Sequence, residues 1–97
     1  MSAEAVRAAR EELEQAVTSL RCSTLVRILK SLGFDVRAGS KPGHKVMTHP
    51  GVPSFTSQAF TCGHGKNPEI KPVYVRKVAA TLRRYEPELA EYLRALQ

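Results

Sequence analysis

All six glycines of the chain and five of its six prolines fall between Gly33 and Pro72. Glycine frees the backbone for turns, and proline removes a donor and fixes φ, so this stretch has no room for a long helix or a long strand. It must fold as short extended pieces joined by turns, and its flanks must supply the helices.

Phe34, Val36 and Ala38 alternate with Asp35, Arg37 and Gly39, the period of a half-buried strand. Residues 39–43 make a turn and residues 44–49 a second strand, which ends where Pro50 and Pro53 bracket Gly51. Residues 55–62, rich in Thr, Ser and Phe, read as a third strand. Connections this short favour an antiparallel meander.

Upstream, Val6, Ala9, Leu13, Ala16 and Leu20 recur at three- and four-residue steps and predict an amphipathic helix. Its sparse apolar stripe suits either an arm laid over the domain or a self-association face. Ser23 is placed to cap a second helix over residues 24–32, with Leu25, Ile28, Leu29 and Leu32 on one face, and Gly33 stops it. Downstream, Pro72 suits the first turn of a helix whose stripe is Val75, Val78, Ala79, Leu82 and Tyr85. Pro87 interrupts it, and Leu89, Tyr92, Leu93 and Leu96 form a last amphipathic segment. The expected fold is α+β: a three-stranded antiparallel sheet with helices packed on one face, plus extra N- and C-terminal helices. Residues 1–22 are then an appended helix, 23–85 the domain proper, and 86–97 a helical extension.

The net charge of +6 conceals a sharper distribution. Residues 21–84 carry twelve Lys and Arg against Asp35 and Glu69, a net +10, whereas the first 20 and last 13 residues are each net −2. A polyanion such as nucleic acid suits the central module, because neutralising phosphates releases counterions. An acidic protein would suit it too. No apolar run approaches membrane-spanning length and the N-terminal stretch has no signal-peptide core, so a cytoplasmic chain without membrane association is expected. Cys22 and Cys62 lie far apart in sequence, and two free thiols are expected. No Cys-x-x-Cys or His-x-x-x-His pairing supports a zinc site, and nothing calls for a cofactor. Nor does a Ser-His-Asp set, a phosphate-cradling glycine loop or a dinucleotide fingerprint appear.

The chemistry concentrates in residues 41–50, KPGHKVMTHP, which hold two of the three histidines and two lysines. A plain turn leading into an edge strand would read the same way. To cleave RNA without a metal, a base must take the 2′-hydroxyl proton while a cation stabilises charge on the phosphate. His44 is the candidate acid/base, and Lys41 and Lys45 flank it. Strand alternation puts Lys45 on the face opposite His44, which makes Lys41 the better phosphate clamp. The same alternation turns His49 away from His44 and assigns it a structural place. His64 and Lys66 in the loop of residues 63–71, and Arg76 and Lys77 on the following helix, are further candidates for RNA contact; Arg83 and Arg84 share that basic face. A solvated loop and a solvated helix face explain them equally well. Tyr74, Tyr85 and Tyr92 all fall on helices, so the sheet lacks an aromatic stacking pair and single-strand binding by base stacking is disfavoured.

Three stretches in order, LVRILKSLGFDV, KPGHKVMTHP and CGHGKNPEIKPVYVRKVAATL, together resemble the HicA family of toxin ribonucleases over roughly residues 25–84. The first resembles that family's first helix and strand, the second its Lys-Gly-Ser-His segment and a strand ending in His-Pro, the third its later loop and second helix. The resemblance implies a fold like that of double-stranded-RNA-binding domains. It also implies an mRNA interferase activity within a toxin–antitoxin system, and a HicB-like antitoxin as partner. The family's active histidine falls on His44. The Gly-Ser before it reads here as Pro42-Gly43, with a turn about one residue longer. Two expectations follow: a metal-independent RNA endonuclease centred on His44, or a non-catalytic module of the same fold that binds RNA or an acidic, antitoxin-like protein. The retained His44 and its lysines favour the first; the Pro-Gly change and the added helices favour the second.

Overall fold

The computed structural model describes residues 2–63 and 65–96. Its elements run α1 (Ser2–Gln15), α2 (Cys22–Ser31), β1 (Asp35–Ala38), β2 (His44–Thr48), β3 (Gln58–Thr61), α3 (Pro72–Arg84) and α4 (Glu86–Ala95). The three strands form one antiparallel sheet in the order β1-β2-β3, which leaves β2 in the centre. The architecture is α+β, as the punctuation and the periods predict.

Register decides which residues meet. Val36 lies opposite Met47, and His44 and Lys45 lie opposite Thr61 and Phe60. Met47 and Phe60 are fully buried and point toward the helices, while Thr81 of α3 hydrogen-bonds to the side chain of Gln58 on the same inward face. Asp35, Arg37 and Ala59 point the other way and are exposed, and His44, Val46 and Thr61 share that outward face with them. The sheet thus has a packed side and an open side.

The single core draws on every helix. Leu25, Leu29, Val75, Val78, Leu82 and Leu89 are all 2 % exposed or less, and so are Val6 and Leu13 of α1. The stripe of α1, for which the sequence left both an arm and a self-association face open, is spent inside the chain against α3 and α4. α1 ends at Gln15 rather than running on to Leu20, which is buried beyond the helix.

Two further element ends differ from expectation because residues there make contacts with distant parts of the chain. Ser23 does not cap α2, which starts at Cys22 with no side-chain cap; the Ser23 hydroxyl donates instead to Oδ1 of Asn67 at 2.6 Å. Asn67 holds positive φ and also accepts from the Ser23 amide. Backbone bonds from Cys22 N to Pro68 O and from Ile70 N to Leu20 O complete the seam between the start of α2 and the loop before α3. Likewise β3 opens at Gln58 and not at residue 55, because Phe55 turns inward and packs edge-on against Phe34 and Tyr85.

That seam explains a correction. Cys22 and Cys62 are not free thiols but a disulfide, with Cα atoms 5.6 Å apart across 40 residues of sequence. Separation along the chain says nothing about distance in space once the seam brings the first turn of α2 against the end of β3. The spacing lies in the usual range for such a bond. Disulfides persist mainly in oxidising surroundings, which the expectation of a cytoplasmic chain does not supply. Among the described residues, no helix is long and apolar enough to cross a membrane.

Candidate functional site

The hairpin between β1 and β2 is closed by two backbone bonds, Gly39 N–H to His44 O at 2.7 Å and His44 N–H to Lys41 O at 3.0 Å. Gly43 sits in it at φ +79°, a left-handed backbone that favours glycine. It is also pressed on the neighbouring strand: its carbonyl accepts from Cys62 N–H at 2.7 Å, and a Cβ there would collide with the Cys62 carbonyl oxygen. The Pro42-Gly43 pair therefore anchors the turn that delivers His44.

The His44 side chain leaves β2 on the open face and folds back over Gly39. Its Nδ1 is buried with no hydrogen-bond partner, lodged where a side chain on Gly39 would stand. Nε2 is thus the ring nitrogen left to meet a ligand. Around it opens a cleft of about 420 Å³ lined by Ser40, Lys41, His44, Ala59, Phe60, Thr61 and Tyr74. The β1–β2 hairpin gives the first three, β3 the next three, and the first turn of α3 gives Tyr74. Among the described residues Lys41 makes no salt bridge, so its charge is unclaimed. Four glutamates are engaged elsewhere: Glu14 with Arg10 and Arg83, Glu12 with Arg27, Glu86 with Arg7 and Glu91 with Arg94.

The remaining sequence candidates are dispersed. Lys45 points to the inward face and lines a separate cleft of about 320 Å³ with the Cys22–Cys62 disulfide, Pro42, Gly43 and Pro68. Lys66 is exposed in the loop before α3. Arg76 and Lys77 are exposed on α3, and Arg76 borders a groove between α1 and α3 with Glu14, Arg83 and Arg84, away from His44. His64 lies outside the described residues. His49 is 5 % exposed and held from both sides: Nδ1 accepts from Gly51 N–H at 3.1 Å, and Nε2 donates to Leu32 O at 2.8 Å. With Phe34 and Tyr92 packed edge-on against its ring, it is a structural residue.

The sequence singles out neither Ser40 nor Thr61, and it sets Tyr74 aside as a helix residue away from the sheet. Thr61 reaches the site through strand register, and Tyr74 because α3 begins beside the edge strand; neither relation has a local signal. Ser40, three residues before Gly43 on the same hairpin, brings a hydroxyl to the cleft. Among the described residues, no group of three or more His, Cys, Asp or Glu side chains is placed to hold a metal ion.

What the cleft offers chemically is one imidazole, one unpaired ammonium, and three hydroxyl-bearing side chains. Compared with protein-family models, curated proteins and solved structures, the chain matches none of them.

Proposed function

We propose that the chain is a small, metal-independent RNA endonuclease of HicA type, acting from a fold similar to double-stranded-RNA-binding domains. The observation that carries this reading is the convergence of His44, Lys41 and Ser40 on one cleft of a module with net charge +10. Nε2 of His44 takes the proton of a ribose 2′-hydroxyl as its oxygen attacks the adjacent phosphorus. Lys41 faces the charge that develops on the phosphate. The 5′-oxygen departs with a proton returned by the imidazolium or by water, leaving a 2′,3′-cyclic phosphate and a 5′-hydroxyl. A HicB-like antitoxin would cover the cleft with an acidic surface.

One observation favours the second reading, a binding module. The cleft holds a single histidine and no carboxylate among its lining residues, so one group would have to serve as both base and acid. Cleavage of a mixed RNA in EDTA by the wild type and by His44→Ala, with end-group analysis, separates the two. A loss of about a hundredfold or more in His44→Ala supports the endonuclease. Equal RNA binding by both proteins with no cleavage leaves the binding module.

A further inference from the structure

We infer that the His44 cleft receives a single unpaired RNA nucleotide whose base stacks on the ring of Tyr74. The inference rests on the RNA-directed reading above and names the state of the RNA that reaches the site. It reverses what the sequence suggested, because a stacking surface lies beside the sheet although it comes from a helix.

The three tyrosines of the chain have different surroundings. Tyr85 packs edge-on against Phe55 and donates its hydroxyl to Ser54 O, and Tyr92 packs edge-on against the His49 ring. Tyr74 is half-buried, has one flank on the core, and among the described residues has no aromatic partner or hydroxyl bond; it lines the cleft that holds His44. Proteins hold splayed-out bases by stacking them on aromatic rings, and Tyr74 is the aromatic side chain with solvent access that lines the cleft beside His44 and Lys41.

Size and geometry agree. The cleft, about 420 Å³ and open to one side, is of the size of sites that hold one small molecule, roughly 300–1,000 Å³, and His44 and Tyr74 line it together. A duplex laid across the sheet presents its backbone from outside and keeps each nucleotide stacked, with the 2′-oxygen out of line with the departing 5′-oxygen. An unpaired nucleotide can rotate into the in-line arrangement once its base is clamped. Ser40 and Lys41, on the hairpin beside the cleft, then meet the phosphate, and Thr61, directly across from His44 in the sheet, borders the same space.

The test uses fluorescence anisotropy with a labelled single-stranded RNA decamer and the blunt RNA duplex of the same sequence, both carrying 2′-fluoro in place of the 2′-hydroxyl so that A-form geometry is kept and neither can be cut. Wild type is expected to prefer the single strand. Tyr74→Leu, which keeps an apolar side chain against the core, should weaken the single strand by roughly five- to a hundredfold with little change for the duplex, and Tyr74→Phe should restore binding. In wild type, the Tyr74 ring protons should shift upfield in NMR spectra when the single strand binds, which reads stacking without any substitution. Equal affinity for duplex and single strand, or unshifted ring protons, overturns the inference. The endonuclease reading is judged separately with all-ribose RNA. Cleavage of a duplex that survives Tyr74→Leu keeps that reading and ends this one. Tyr74-dependent binding by a protein that cuts nothing does the reverse, and a protein that binds neither RNA ends both.

Discussion

The His44 ring occupies the space that a side chain on Gly39 would fill. A Cβ at Gly39 would lie well inside van der Waals contact of Nδ1, so the absence of that one carbon lets the imidazole fold back over the hairpin. Gly39→Ala should therefore swing the ring out of its seat while both residues stay in a turn that can give slightly. The expected cost to stability is at the low end of the range for an overpacked site, about 1–3 kcal/mol. The expected cost to cleavage is about a hundredfold, the loss typical of a misplacement near 1 Å. A changed chemical shift for the His44 ring in Gly39→Ala, beside an intact fold by circular dichroism, would support this positioning. Unchanged ring shifts would show that the seat is elsewhere.

Gly43 makes the opposite prediction. Its positive φ strains any other residue by about 1–2 kcal/mol. Displacing its carbonyl from Cys62 N–H forfeits a hydrogen bond of about 0.5–1.5 kcal/mol more. Because the added Cβ meets backbone and not a flexible side chain, little relief is open to it. Gly43→Ala should lower the urea midpoint, whereas Gly39→Ala should act mainly on the site. Equal destabilisation by the two changes would contradict the distinction drawn between them.

The contrast between these glycines marks what the sequence could disclose. Turn positions were legible because Gly39, Pro42 and Gly43 separate the alternating run of residues 34–38 from the short extended run of residues 44–49, and alternation along that second run put His44 and Lys45 on opposite faces, as the structure has them. The helices were legible from their periods. What each glycine must leave room for was not, since the His44 ring folds back over Gly39 and the Cys62 carbonyl reaches Gly43 from just past the end of β3. Thr61 escaped notice and Tyr74, placed on a helix, was set aside for the same reason, as their places in the cleft depend on register and on where α3 meets the sheet. The cap expected of Ser23 failed because Asn67, 44 residues away, claims its hydroxyl.

His49 differs from His44 in having both nitrogens engaged, which predicts a separate outcome on substitution. His49→Phe keeps a ring near Phe34 and Tyr92 but leaves the Gly51 N–H and the Leu32 carbonyl without their partner. The Leu32 carbonyl is buried while the Gly51 N–H is partly open to water, and an unsatisfied buried group costs about 1–3 kcal/mol, so a loss in that range is expected. RNA binding and cleavage, measured well below the melting temperature, should stay within about threefold of wild type, since His49 faces away from the cleft. A selective loss of cleavage in a stable His49→Phe protein would place this residue in the site after all.

The Cys22–Cys62 bond closes a long loop that contains all three strands, so its removal should destabilise the sheet as a unit. Cross-links of this span are worth about 2–4 kcal/mol, largely by restricting the unfolded chain. The doubly substituted Cys22→Ala/Cys62→Ala protein should unfold at lower denaturant than the oxidised wild type, and dithiothreitol should bring the wild type down to meet it while leaving the double variant unmoved. The bond also stands next to the hairpin: Cys62 donates to Gly43, the residue before His44. Loosening the end of β3 should therefore raise amide exchange at residues 39–44 more than at the buried stripe of α3. Uniform exchange changes across the chain would mean that the disulfide supports overall stability without a local hold on the hairpin.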